Sequence, residues 1–254
     1  MLTHSIRITK PVKGSPHNIG RHFSASSFRH TQFGGAMDPL LMVDHFRMTE
    51  PTFGPHPHAG FSAVTYLFED SRSPHLNADS IGNELPIMPG SLHWMVAGRG
   101  VTHDEWPGGD DPEVHGLQFF VDLPPAMKSV APYAVHLESA DIPTFTADGA
   151  RVRVIAGELG EVRSPVVLPQ PFSLFDGFLD SGADLDLQIE RGWGAWIYAI
   201  NGTLNVSVEH ASEVLTEGAA IALAGFSGAE QLSITARTGS HFVMLCGESV
   251  RTQP

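Results

Sequence analysis

Apolar residues alternate with polar or small ones in short runs along this chain, and Gly, Pro, Asn or Asp closes most of them. A period of two puts successive side chains on opposite faces of a strand. It predicts strands over 5–8, 40–44, 61–68, 91–96, 116–123, 152–156, 195–200, 204–208, 219–223, 232–235 and 241–246. Helical periodicity is scarce. The best helical candidates are 125–130 and 169–174, and neither carries a full amphipathic face. The pattern is that of an all-β protein of antiparallel barrel or sandwich strands.

Composition supports this reading. With 26 Gly, 19 Pro and 17% charged residues the chain is rich in turns, while 42% apolar residues provide a core and argue against disorder. Its 254 residues suit two domains of about 125 residues each. The run Leu123-Pro-Pro-Ala-Met-Lys-Ser-Val-Ala-Pro-Tyr133 reads as a linker, because consecutive prolines interrupt sheet pairing. The expected domains are therefore 1–138 and 139–254. A faint echo links them: Thr65-Tyr-Leu-Phe-Glu69 ahead of Pro89-Gly90, and Ile197-Tyr-Ala-Ile-Asn-Gly202 ahead of Glu217-Gly218.

A formal net charge of −13 repels phosphate backbones and anionic lipid, which argues against direct nucleic-acid binding. The single Cys246 rules out an intramolecular disulfide and a Cys-rich zinc module. No apolar run approaches the roughly 20 residues of a membrane span, and the first residues do not read as a signal peptide. A soluble, cytoplasmic protein is expected. The sequons at Asn201 and Asn205 read as turn and strand residues.

Two clusters carry candidate chemistry: His56-Pro57-His58 and His103-Asp104-Glu105. With 14 His in the chain, roughly one His-x-His match is expected by chance, so neither cluster decides alone. His136-Leu-Glu138 has the same His-x-Glu spacing, but it lies beyond the Pro-rich stretch in a segment that reads as a connector and is expected to be inert, as is His210. On strands, residues i and i+2 share a face, so each cluster aims two donors the same way. Pro57 places the first cluster at a strand start or edge, near a barrel mouth. The Ala97-Gly-Arg-Gly100 bend turns the second cluster toward it. Three imidazoles and a carboxylate leave two octahedral positions open, which favours catalysis over a closed structural site. Fe(II) is the first choice for a single divalent ion, and Mn, Ni, Co, Cu and Zn accept the same donors. His210 and His241 are isolated, so the metal is expected in the first half. His45, His75, His93 and His115 are read as strand imidazoles, with His93 a candidate proton shuttle, and Arg99 as a solvated turn residue.

The spaced motifs Asp38-Pro-Leu-Leu-Met-Val-Asp44, Pro55-His-Pro-His-Ala-Gly-Phe61, Val64-Thr-Tyr66, Asp79-Ser-Ile-Gly-Asn83, Trp94-Met-Val-Ala-Gly-Arg-Gly-Val-Thr-His-Asp-Glu105 and His115-Gly-Leu-Gln118 together resemble the pirin family. The resemblance spans about residues 33 to 123 and continues more faintly beyond. It implies two tandem cupin barrels with one metal, usually iron, in the first, held by His56, His58, His103 and Glu105. It also implies quercetin 2,3-dioxygenase activity on a small aromatic substrate with O2. Locally, a carboxylate beside a cation is held charged, so Glu105 is expected to act as proton acceptor as well as ligand. The alternatives are a non-enzymatic, metal- or redox-sensing regulator acting through a protein partner, and another small-molecule reaction at the same metal. A monomer is favoured. Five positions depart from the family pattern: Ala59 for Arg, Ser62 for Glu, Asn77 for His, Ser91 for Asp and His93 for Gln. These put the substrate in question more than the metal.

Overall fold

The computed structural model describes residues 6–251. Strands dominate, and the helical elements among the described residues are three short 3-10 turns. The all-β expectation holds. All eleven expected strands are present within a few residues of their expected bounds, except that the first is Arg7–Ile8 and Ser5 lies outside the described residues.

Both helical expectations are corrected. The first candidate is a single turn, Pro125–Met127. The second contains no helix; Phe172 instead opens the strand Phe172–Leu179. That strand is buried on both faces, so its sequence shows no alternation to distinguish it from a helix. The segment read as a connector ends in another strand, Tyr133–Leu137, which holds His136.

The chain divides into two compact units. One comprises 15–29 and 40–141; the other comprises, among the described residues, 6–14, 30–39 and 142–251. The main change of unit falls between Asp141 and Ile142, and 30–39 joins the second unit. Arg7–Ile8 and Val12–Lys13 both pair with Ala219–Ala224, which places the start of the chain with its C-terminal part.

In the first unit a seven-stranded sheet runs in the order Tyr133–Leu137, Leu92–Val96, Phe61–Leu67, Val114–Asp122, Leu40–Met48, Phe23–Arg29, Ser15–Ile19. A four-stranded sheet of His56–His58, Val101–Pro107, His75–Asp79 and Glu84–Ile87 accompanies it. The second unit repeats this plan. Its small sheet is Asp184–Ile189, Glu230–Ala236, Thr203–Val208 and Ala211–Thr216.

The interiors differ. In the second unit, Asp184–Ile189 and Glu230–Ala236 occupy the sheet positions that His56–His58 and Val101–Pro107 occupy in the first. They send Leu185, Leu187, Ile189, Leu232, Ile234 and Ala236 into one large apolar core. The first unit instead has two small apolar clusters, one around Phe23, Phe46 and Leu67 and one around Ala63, Met95 and Val101. One polar row crosses the large sheet between them. Ser27 stands opposite Asp44, Asp44 opposite Gln118, Gln118 opposite Thr65, Thr65 opposite His93, and His93 opposite His136. Cross-strand partners share a face, so these side chains form a single rung.

Candidate metal centre

Strand His56–His58 runs antiparallel to Val101–Pro107, with His103 opposite His56 and Val101 opposite His58. A backbone hydrogen bond from Gly60 N to Gly98 O, 2.8 Å, ties together the corners that adjoin the two strands. Alternation then puts His56, His58, His103 and Glu105 on one face. The Nε2 atom of His103 lies 3.0 Å from that of His58 and 3.1 Å from that of His56. His58 and His103 are buried and His56 is partly exposed, so the cluster sits with one imidazole toward solvent.

The outer nitrogens show what the inner ones can do. His56 Nδ1 donates to the Gly54 carbonyl at 2.8 Å, and His103 Nδ1 faces Asn77 Oδ1 at 3.3 Å. A proton held on each Nδ1 leaves the Nε2 lone pairs free. Neutral imidazoles that aim lone pairs at one another across about 3 Å repel unless a cation stands between them. Donors about 2.1 Å from a common ion and at right angles are about 3.0 Å apart, so the spacing fits a first-row divalent metal. His56, His58 and His103 form the one three-donor cluster of His, Cys, Asp or Glu among the described residues.

Glu105 is 4% exposed, with Oε2 3.8 Å from His103 Nε2. Thr65 donates to its Oε1 at 2.9 Å and Gln118 Nε2 to its Oε2 at 2.7 Å. Burial opposes its charge, but the His75 and His103 imidazoles and the Thr65 hydroxyl outweigh burial and hold the carboxyl down at about 2. Burial, followed by the neighbouring His103 and His56, pushes His58 down to about 4. Burial also lowers His103. Near neutral pH these shifts favour proton-free His58 and His103 beside a charged Glu105, the state a metal needs.

These shifts carry a pH signature. His58 and His93, the latter also lowered by burial to about 4, titrate near 6.5 when unfolded. Between 6.5 and 4 the unfolded chain binds more protons, so the stability present above pH 6.5 is lost as pH falls through 4. Thermal melts of the metal-free protein are expected to show a falling Tm across that window. A flat profile would contradict the burial of these rings.

The remaining histidines divide clearly. His75 is buried with its Nδ1 3.9 Å from Glu105 Oε1, so it borders the site, which its sequence context did not signal. His45 and His115 pair through their Nε2 atoms at 2.7 Å, and His115 Nδ1 lies 2.7 Å from Asp70. His241 is not isolated but lies 2.5 Å from Asp176, and His210 is exposed. Arg99 is exposed in its turn. Thr65 and Gln118, both supports of Glu105, lie in the Val64-Thr-Tyr66 and His115-Gly-Leu-Gln118 runs, but nothing local in either run links them to the carboxylate. Phe61 and Phe120 stack at 4.6 Å between centroids, and each lies against the ring of His58, at 5.3 and 5.2 Å. A cleft of about 1130 Å³ lies in the other unit, near Leu187, Trp193 and Gln231. It contains none of these donors.

The Pirin family profile matches residues 15–121. Mouse Pirin is 38% identical over 216 residues, covering 85% of this chain and 73% of its own length. Among solved structures, a quercetin 2,3-dioxygenase from Acinetobacter baumannii superposes with a TM-score of 0.83 at 25% identity, covering 98% of this chain and 88% of that one. Bacterial pirin YhhW from Escherichia coli, solved in complex with nickel(II), superposes with a TM-score of 0.70 at 20% identity, covering 96% and 99%. Among the described residues, no helix is long and apolar enough to cross a membrane. The chain is a bicupin and belongs to the pirin family.

Proposed function

We propose that this chain is a metal-dependent dioxygenase that opens the heterocycle of a flavonol such as quercetin with O2. The observation that carries this reading is the convergence of three Nε2 atoms beside a buried carboxylate, next to an aromatic shelf. His56, His58, His103 and Glu105 would hold one divalent ion. Bound there, the ion supplies Lewis acidity toward a substrate oxygen and a place for O2. Fe(II) is the first choice. Ni(II) stands beside it, because a pirin relative was solved with nickel, and Mn, Co, Cu and Zn suit the same donors.

The side chains divide the remaining work. Phe61 and Phe120, both partly exposed, present flat apolar surface beside His58, suited to stacking a planar aromatic substrate. Glu105 accepts the proton of the substrate hydroxyl, and Thr65 and Gln118 keep its carboxylate aimed during that transfer. The substrate would be a small aromatic molecule together with O2.

The test is aerobic turnover of quercetin by protein loaded in turn with Fe, Ni, Mn, Co, Cu and Zn, with O2 uptake and ring-opened product measured together. Product formation with at least one metal, abolished in His58→Ala, is the expected result. No product with any of the six would reject the reading. Metal-sensitive capture of a protein partner in that case would favour a regulator.

A further inference from the structure

The polar rung in the large sheet does more than support Glu105. From Thr65, the donor to Oε1 of Glu105, it continues across two more strands to the sheet edge. His93 stands directly opposite Thr65, and His136 directly opposite His93. His136 Nε2 lies 3.1 Å from Glu138 Oε1, and the Glu138 side chain is 53% exposed. Ser91 Oγ donates to the other oxygen of Glu138 at 3.2 Å and fixes its position.

His93 is the informative member. It is 2% exposed, and neither of its ring nitrogens has a hydrogen-bond partner; nor does Nδ1 of His136. A buried imidazole with two unpaired nitrogens costs several kcal/mol on the order of an unmade hydrogen bond at each. The apolar rung alongside it, Ala63–Met95–Ala134, shows that this sheet can pack apolar side chains at such a level. The two rings are 5.8 Å apart between centroids, a spacing that one bridging water can span.

We propose that Thr65, His93 and His136 form a proton-conducting line along one rung of the sheet, joining the hydrogen-bond donor on Glu105 to solvent at Glu138. Each member takes one proton and releases one. A proton from solvent passes by way of Glu138 to Nε2 of His136, and the proton on Nδ1 leaves through a bridging water. It reaches one nitrogen of His93 while the proton on the other nitrogen passes through a second bridging water to Thr65 Oγ1, whose own proton moves onto Glu105. The ring of His93 begins and ends neutral with its tautomer exchanged, so the line carries a proton inward without storing charge, and the reverse order carries one out. The line goes beyond the dioxygenase reading, since any proton-coupled chemistry at Glu105 could use it. It also gives His136 and Glu138, expected from sequence to be inert, a place in the site.

The test reads proton movement rather than turnover. In full-length, metal-free protein labelled with 15N, ring-nitrogen NMR spectra report the tautomer of His93 and the rate at which its ring proton exchanges with solvent. His136→Phe is expected to slow that exchange at least tenfold and His136→Gln to slow it less, while backbone amide exchange over Leu92–Val96 is unchanged. The Gln variant keeps a hydrogen-bonding side chain, so it reports even if the Phe variant folds poorly. Equal ring-exchange rates in all three proteins would overturn the proposal. So would a slowing shared by the backbone amides, which would indicate stiffening of the strand. Because no metal or substrate is present, failure here leaves the dioxygenase reading untouched, and failure of that reading leaves this one standing.

Discussion

His103→Ala will leave the protein folded and strip it of stoichiometric metal. His103 is the hub of the cluster: its Nε2 lies within 3.1 Å of both other imidazole nitrogens and 3.8 Å from Glu105. Removing a residue that merely orients a ligand costs about 10–100-fold in metal affinity, so removing the central donor should cost more than about 100-fold. Asn77→Ala, which takes away the partner of His103 Nδ1, provides the graded comparison and should fall within that about 10–100-fold range. The fold should survive both changes, because the apolar clusters of this barrel contain none of the four candidate ligands. Elemental analysis after dialysis, with circular dichroism as the fold control, checks both. Undiminished metal in His103→Ala would remove the basis of the proposed function.

The largest stability loss is expected from a residue that touches no metal. Gly98 has φ of +50°, and a Cβ there would lie 2.3 Å from the carbonyl oxygen of Val130. Both backbone strain and overlap oppose any side chain. The neighbouring Arg99 N donates to that same carbonyl at 3.0 Å, so the overlap cannot be relieved without giving up a backbone hydrogen bond. Gly98→Ala should cost about 3 kcal/mol, or about 6–12 °C in Tm for a chain of this size. It should also weaken metal binding, because Gly98 O accepts from Gly60 N at the corner two residues past His58. Gly100→Ala is the control. Its φ of +138° is also unusual, but nothing lies within 4 Å of a Cβ there, so its loss should be smaller. Equal losses in the two variants would show that strain alone, without the overlap, sets the cost.

The candidate site was legible in the sequence to the extent that its geometry is local. His56 and His58, like His103 and Glu105, are two residues apart on strands, and a period of two is enough to aim each pair. That both pairs aim at one point depends on the register of His103 against His56, which rests on a backbone pairing between strands far apart in the chain. The supports of Glu105 show the same limit more sharply. Thr65 precedes it by 40 residues and Gln118 follows it by 13, and the runs that hold them do not reveal that they meet it. Phe172–Leu179 was missed as a strand because both its faces are buried, and Tyr133–Leu137 because prolines precede it.

What the sequence by itself determined is the period of two, the positions of the turns and the two short clusters of donors. These follow from near neighbours along the chain and the stereochemistry of a single strand. The tertiary structure alone decided which polar residues meet: Gln118, Thr65, His93 and His136 become one rung only when four strands take up a common register. That register is selected by the burial of whole apolar faces, since a slip by one residue would turn every side chain of a strand to the opposite face. It is a property of the assembled sheet, which no single segment encodes.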